Sequence, residues 1–296
     1  DGELVEAEQS GPKGRMGLPI ARIVARLGNP SEPRAVSLIA IHQHGIPDHF
    51  PDEVIAEADA ALPVKLSKRL DLRDTPLVTI DPWDARDHDD ACYVETHDNG
   101  EMTIWVAIAD VAYYVTGGSA LDREARNRGN STYFPDRVVP MLPDVLSGDL
   151  CSLHEGVERA CLAVAMRIDA EGNKISHAFH RGLMKSVASL NYEEVQDAMD
   201  GAPNEKVAPL VSEIIRPLYA AYAALKIARA VRQPLELDLP ERQIILDDMG
   251  KVSSVNYKER LDAHRLIEEF MVLANVCAAE TLLVKKTPHL LRVHEE

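Results

Sequence analysis

The sequence predicts an α+β fold, because strand-like and helix-like segments both occur and do not alternate regularly. Several short runs are rich in β-branched residues and end at turn residues, which is typical of strands. Two longer segments on the C-terminal side repeat apolar residues every three or four positions, as amphipathic helices do. The chain has 296 residues, of which 46% are hydrophobic and 27% charged, a composition typical of globular proteins.

The first part of the chain predicts two short strands followed by a helix. Residues 20–27 alternate in polarity, and residues 35–42 form a second β-prone run after turn residues. Small barrels of the OB type are built from such strands, and we expect this segment to be the end of one. Residues 50–61 begin with a proline and an aspartate, which predicts a linking helix. We place this domain and its linker at residues 1–62.

The second part, residues 63–296, predicts a larger domain of strands and helices. Strand-like patterns occupy four segments, namely residues 77–81, 91–95, 102–109 and 160–169. Helical periodicity occupies three segments, namely residues 119–128, 207–232 and 263–281.

Composition limits the function classes without identifying one. A net charge of −16 disfavours a general nucleic-acid binder, which usually carries a basic face. The four cysteines lack the spacing of a zinc site, so we expect a reduced, cytoplasmic protein. No apolar run of about 18 residues is present, so we expect no membrane association, and we expect a monomer.

The most informative segment holds five aspartates within ten residues, namely Asp81, Asp84, Asp87, Asp89 and Asp90. Strand-like residues flank this loop on both sides. Closely spaced carboxylates repel one another unless a cation or solvent relieves the repulsion. Their hard oxygen ligands suit Mg²⁺, with Mn²⁺ as an alternative, and two such ions can hydrolyse a phosphodiester. The spacing alone also fits a solvated acidic loop, whereas an EF-hand is disfavoured because its glycine and final glutamate are missing.

The segment around the aspartates resembles the signature of the ribonuclease II/R (RNB) family, nearest its bacterial ribonuclease R branch. Further motifs follow in the family's order, at residues 107–111, 131–143, 150–153 and 265–271. The resemblance implies an RNB-type catalytic domain, a mixed sheet with surrounding helices, at residues 63–296. It also implies that the end of a second cold-shock (OB) domain precedes it.

The resemblance implies processive 3′→5′ hydrolysis of single-stranded RNA to nucleoside 5′-monophosphates by two metal ions. Asp81, Asp87, Asp89 and Asp90 stand at the family's four acidic positions and are the expected catalytic and magnesium-binding residues. For Asp84 we expect a role in the turn of the loop.

Four residues are expected to contact RNA, and three of them have a structural alternative. Tyr133 matches the tyrosine that clamps the 3′-terminal nucleotide, although it could be a packed strand-edge aromatic. Tyr192 and Glu268 match positions that orient bases, although Glu268 could be an exposed helix residue. Arg128 is expected to contact phosphate, although a cation at a helix end also stabilises the helix dipole.

Two further residues lie near the aspartates in the sequence or in the predicted sheet. Asp110 is expected either to support the site from a neighbouring strand or to cap a turn. His88 is expected to point to the opposite side of a strand from the aspartates that flank it.

The ends of the chain predict a piece of a longer protein, and the resemblance implies that a later arginine motif and an S1 domain lie outside it. We therefore expect this piece to bind metal and to hydrolyse RNA poorly or not at all. Two other functions stay open. One is a catalytically impaired RNA-binding relative, and the other is an unrelated magnesium-dependent phosphohydrolase.

Overall fold

The computed structural model describes residues 2–10, 20–30, 32, 35–232 and 239–292. The strands are β1 Leu4–Gln9, β2 Ala21–Gly28, β3 Leu70–Leu72, β4 Val78–Asp81, β5 Asp90–Thr96, β6 Met102–Ala109, β7 Thr132–Tyr133, β8 Val138–Val139, β9 Glu158–Ile168, β10 Lys174–Lys185, β11 Ala188–Asn191, β12 Arg242–Leu246 and β13 Val252–Tyr257. The α-helices are α1 Ala35–Gln43, α2 Asp52–Asp59, α3 Val111–Tyr114, α4 Ala120–Arg128, α5 Tyr192–Met199, α6 Arg216–Arg232 and α7 Asp262–Val284. Of these described elements, no helix combines the length and the apolar character that crossing a membrane requires.

The chain groups into two compact units, and a mixed seven-stranded sheet forms the centre of the second. That unit contains residues 58–116, 144–238 and 259–296. Its strand order is β11-β4-β5-β6-β9-β10-β3, with parallel pairing at β11–β4 and β10–β3 and antiparallel pairing elsewhere. This is the α+β architecture that the sequence predicts.

One face of the sheet packs on helices α5, α6 and α7 to form the main core. Ile104 from the sheet, Leu218 from α6 and Phe270 from α7 have no exposed surface. Burying a side chain of this kind stabilises the fold by roughly 1.5–3 kcal/mol. The core therefore holds the sheet, whose strand ends carry the candidate site, against the three helices.

The first unit contains residues 1–57, 117–143 and 239–258. Its described residues form three antiparallel strand pairs, β1–β2, β7–β8 and β12–β13. Helix α4 begins after Ser119, whose side chain accepts a hydrogen bond from the Asp122 N–H, an arrangement that favours a helix start. The predicted domain boundary at residue 62 stays a prediction, because the first unit also includes residues 117–143 and 239–258.

Most predicted elements are confirmed, but residues 35–42 are helical and not a strand. This segment lies in α1, where Ala35 and Ile41 are buried. A short apolar run fits both the strand and the helix period, so periodicity alone could not decide between them.

The helix predicted at residues 207–232 is not continuous. A 3₁₀ turn at Ala208–Leu210 and a π-helical turn at Val211–Ile215 precede α6. Pro217 has no N–H to donate to the preceding turn, which accounts for the wider turn just before it.

Candidate active site

The aspartate loop, which we define as residues 82–89, connects the end of β4 to the start of β5. Asp81 is the last residue of β4 and Asp90 the first of β5, and the antiparallel pairing of the two strands places both at the same edge. β11 runs parallel to β4 and pairs Asn191 with Asp81. Strand pairing thus brings the first and the last of the predicted site aspartates together.

The His88 side chain turns towards the aspartates, so the prediction that it points away is wrong. Its Nδ1 lies 2.7 Å from Oδ2 of Asp81. This hydrogen bond raises the pKa of His88. Residue 88 lies in the loop before β5, and the alternation of side chains along a strand does not apply there.

The electrostatics of the cluster favour an added positive charge. Burial, with the neighbouring charges of Asp81 and Asp89, raises the pKa of Asp90 to about 7. Partial burial of its carboxylate, with the charges of Asp87 and Asp81, raises the pKa of Asp89 as well. A raised carboxyl pKa means that the anions destabilise one another.

A buried segment of the second unit holds the aspartate loop by its backbone. The His88 N–H donates to Oγ of Ser152 over 3.0 Å, and the Leu153 N–H donates to the His88 carbonyl over 2.8 Å. The Ala109 N–H donates to the Asp89 carbonyl over 2.9 Å. Residues 150–153 were expected only as part of the family resemblance, and no local pattern indicates this contact.

The donor set suits a hard cation, although the side chains do not form a closed cage. Among the described residues, no group of three or more histidines, cysteines, aspartates or glutamates is arranged to hold a metal ion. Four carboxylates at one strand edge, with raised pKa values at Asp89 and Asp90, still fit Mg²⁺ by ligand type. The metal-binding role of these residues stays a prediction.

Tyr192 lies close to the aspartates, and Glu268 lies on the helix that Tyr192 contacts. The Tyr192 ring stacks on His264, with the ring centroids 3.9 Å apart. Burial, with the charges of Asp90 and Asp81, raises the pKa of the Tyr192 hydroxyl above its usual range. Glu268 follows His264 by one turn of α7 and forms an ion pair with Arg260. The RNA contacts of both residues stay predictions.

Tyr133 and Arg128 belong to the first unit. Tyr133 lies on the β7–β8 hairpin and is 66% exposed, so it is not a packed core aromatic. The Arg128 side chain is only 2% exposed. It binds Glu124 and the carbonyl oxygens of His49 and Pro140, and its guanidinium lies 3.6 Å from the centroid of the Phe50 ring. These contacts favour a structural role, and the phosphate contact of Arg128 stays a prediction.

Asp110 forms a buried ion pair and does not cap a turn. Its carboxylate lies 2.7 Å from the Arg69 guanidinium, and both side chains are less than a tenth exposed. It precedes α3, but its side chain accepts no N–H of that helix. Asp84, in contrast, is exposed within a turn that the Ala85 N–H closes by donating to the Pro82 carbonyl.

Sequence profiles identify the family. The RNB domain profile matches residues 69–296, and the cold shock domain profile matches residues 1–51. Since the first match covers more than half of its length, the chain belongs to the RNB domain family.

Several proteins similar to this chain are named ribonuclease R. Ribonuclease R of Vibrio parahaemolyticus is 43% identical over 289 residues, which are 96% of this chain and 34% of that protein. The structure of Mycoplasma genitalium RNase R in complex with double-stranded RNA has a TM-score of 0.88 at 26% identity, covering 96% of this chain and 51% of that one. Its complex with ribose-methylated single-stranded RNA has a TM-score of 0.84 at 28% identity, covering 90% and 42%. The chain therefore spans about a third of the curated relative and about half or less of the solved chains.

Proposed function

We propose that this chain is the catalytic part of a 3′→5′ exoribonuclease that degrades single-stranded RNA processively to nucleoside 5′-monophosphates. The observation that carries the proposal is the meeting of Asp81 and Asp90 at one strand edge, with Asp87 and Asp89 in the loop between them. Membership of the RNB family removes the alternative of an unrelated phosphohydrolase.

The four carboxylates would bind magnesium, with manganese as a substitute, and together they would form the site of a two-metal hydrolase. Asp81, Asp87 and Asp90 would hold the ions, and Asp89 would hold an ion or orient the attacking water. The ions would lower the pKa of that water and offset charge on the leaving 3′-oxygen. The Nδ1–H of His88 donates to the Asp81 carboxylate and thereby limits its rotation.

Aromatic and acidic side chains would position the RNA. The exposed Tyr133 ring can stack on a base, a contact worth about 1–3 kcal/mol for any base. Tyr192 and Glu268 would orient nucleotides beside the aspartates. The RNA-bound structures of the Mycoplasma genitalium protein, which share this fold, support an RNA substrate.

The test uses the full-length protein that contains this chain, on 3′-labelled single-stranded RNA with Mg²⁺. Asp89→Asn should lower the rate of label release at least a hundredfold, because one carboxylate of the site is lost. The matched control Asp84→Asn changes an exposed aspartate in the same loop and should act like the wild type. If Asp89→Asn releases labelled mononucleotide at the wild-type rate, the proposed site is wrong.

Substrate and mode of action are tested in parallel. Equal cleavage of DNA and RNA would contradict the substrate class, since discrimination requires the 2′-hydroxyl. Excess unlabelled RNA added after the start should not stop degradation of bound chains if the enzyme is processive. A catalytically impaired RNA-binding protein would bind the RNA and release no label.

We also propose that the protein is a monomer and is located in the cytoplasm. Light scattering would test the oligomeric state, and cell fractionation would test the location.

A further inference from the structure

Ser152 is placed to fix the geometry of the aspartate loop through the backbone of His88. Its hydroxyl oxygen accepts the hydrogen bond from the His88 N–H, and the next residue, Leu153, donates its N–H to the His88 carbonyl. Both backbone groups of His88 are therefore bound by two consecutive residues. His88 lies between Asp87 and Asp89, so these contacts set the direction in which both aspartates leave the backbone.

The segment that carries Ser152 is itself rigidly held. Ser152 and Leu153 have no exposed surface. The buried Arg159 donates from Nε to the Ser152 carbonyl over 2.9 Å and forms an ion pair with Asp149. A hydrogen bond from such a segment restrains the loop more than one from a mobile surface residue.

The side chains add a second contact between the segment and the loop. The His154 ring meets the His88 ring edge to face, with centroids 5.9 Å apart, and its Nε2 lies 2.8 Å from the Gly148 carbonyl oxygen. His88 in turn binds Asp81. The segment therefore reaches the aspartates through both the backbone and the side chain of His88.

We propose that Ser152 is a positioning residue of the active site, which presets the aspartate loop for metal binding through the His88 backbone. This inference rests on the proposed function of the aspartates. Removing the acceptor leaves the His88 N–H without this partner and frees the loop to shift. Groups that orient metal ligands in this way typically change metal affinity or activity by about 10–100-fold when they are replaced.

The experiment compares Ser152→Ala and Ser152→Cys with Ser186→Ala in the full-length protein. Cysteine keeps the side-chain shape, fills the site with a slightly larger atom and is a weak acceptor, so it tests the hydrogen bond if the alanine variant fails to fold. Ser186 is a matched control, because it is 1% exposed and donates to the Ala188 carbonyl over 2.9 Å, outside the loop. Mn²⁺ affinity is measured by electron paramagnetic resonance, and kcat and KM are measured on RNA.

Both Ser152 variants should bind Mn²⁺ about tenfold more weakly and lose about tenfold in kcat, with KM for RNA unchanged. Ser186→Ala should match the wild type in both. If the Ser152 variants match Ser186→Ala in Mn²⁺ affinity and kcat while Asp89→Asn abolishes hydrolysis, the positioning role is wrong and the proposed function stands. If the wild type binds Mn²⁺ but leaves RNA intact, the proposed function is wrong, and Mn²⁺ affinity alone decides the role of Ser152. A wild type that binds no Mn²⁺ overturns both.

Discussion

At the scale of single residues, the structure separates side chains that the sequence presents alike. Arg126 and Arg128 both lie in the last turn of α4, where cations stabilise the helix dipole. Arg126 is 77% exposed and pairs with Asp122 one turn earlier, whereas Arg128 is 2% exposed and binds Glu124 and two carbonyl oxygens. Sequence reasoning could not distinguish them, because burial depends on residues distant along the chain.

Arg128→Ala should lower the free energy of unfolding by about 2–4 kcal/mol, because Glu124 and two carbonyl oxygens lose a charged donor whose own side chain is buried. Arg126→Ala, the control, should change it by less than about 1 kcal/mol. Urea unfolding measures both. Equal stability of the two variants, together with a large loss of RNA affinity in Arg128→Ala, would favour the phosphate contact over the structural role.

At the scale of elements, alternation predicted β4, β5, β6 and β9 but missed β10. Residues 174–185 carry two histidines, an arginine and a glycine among their apolar residues, and this hides the strand pattern. The structure makes β10 a long strand that pairs with both β9 and β3. Its place in the sheet thus depends on its neighbours more than on its own composition.

The turn that joins β9 to β10 gives a test of close packing. Gly172 has a φ of +80°, and a Cβ there would clash with the backbone carbonyl of Ala224 in α6. Gly100, in the β5–β6 turn, has a φ of +81° with no atom near such a Cβ. Gly100→Ala should therefore cost about 1–2 kcal/mol for backbone strain alone.

Gly172→Ala should cost about 1–3 kcal/mol more than Gly100→Ala, because the helix must shift to admit the methyl group. Thermal unfolding of the two variants measures the difference. Equal unfolding midpoints would mean that α6 can move to admit the methyl group without loss of stability, which would contradict the prediction.

At the scale of the whole molecule, family resemblance predicted the catalytic fold and the membership of the aspartate cluster. It could not predict the partners of the cluster. The bond from His88 to Asp81 and the hold of Ser152 on the His88 backbone come from tertiary placement. Neither leaves a local signal, since a serine and a histidine are common in loops and turns.

Stability of the metal-free protein should depend on pH through Asp90. Its pKa is about 7 in the folded state and 3.8 in its ordinary state, so between these values the folded chain keeps a proton that the unfolded chain has released. Stability therefore falls as pH rises from about 4 to about 7, by on the order of 4 kcal/mol, and the penalty is fully present above pH 7.

Asp90→Asn should remove this penalty. In EDTA at pH 8 the variant should unfold at higher urea than the wild type, and the two should converge near pH 4. Added Mg²⁺ should stabilise the wild type and have less effect on the variant, because binding to the folded state adds stability. A wild type that is no less stable than Asp90→Asn at pH 8 in EDTA would contradict the repulsion within the cluster.

The hold on the aspartate loop has a consequence for how this site can diverge during evolution. Ser152 and Leu153 form hydrogen bonds with the backbone of residue 88, and any amino acid except proline has the same N–H and carbonyl. The identity of residue 88 can therefore change, at the cost of its bond to Asp81 and its ring contact with His154. An insertion or deletion between Asp87 and Asp90 would place a different residue at these two hydrogen bonds. We therefore expect the number of residues between Asp87 and Asp90 to be conserved more strongly than the identity of residue 88.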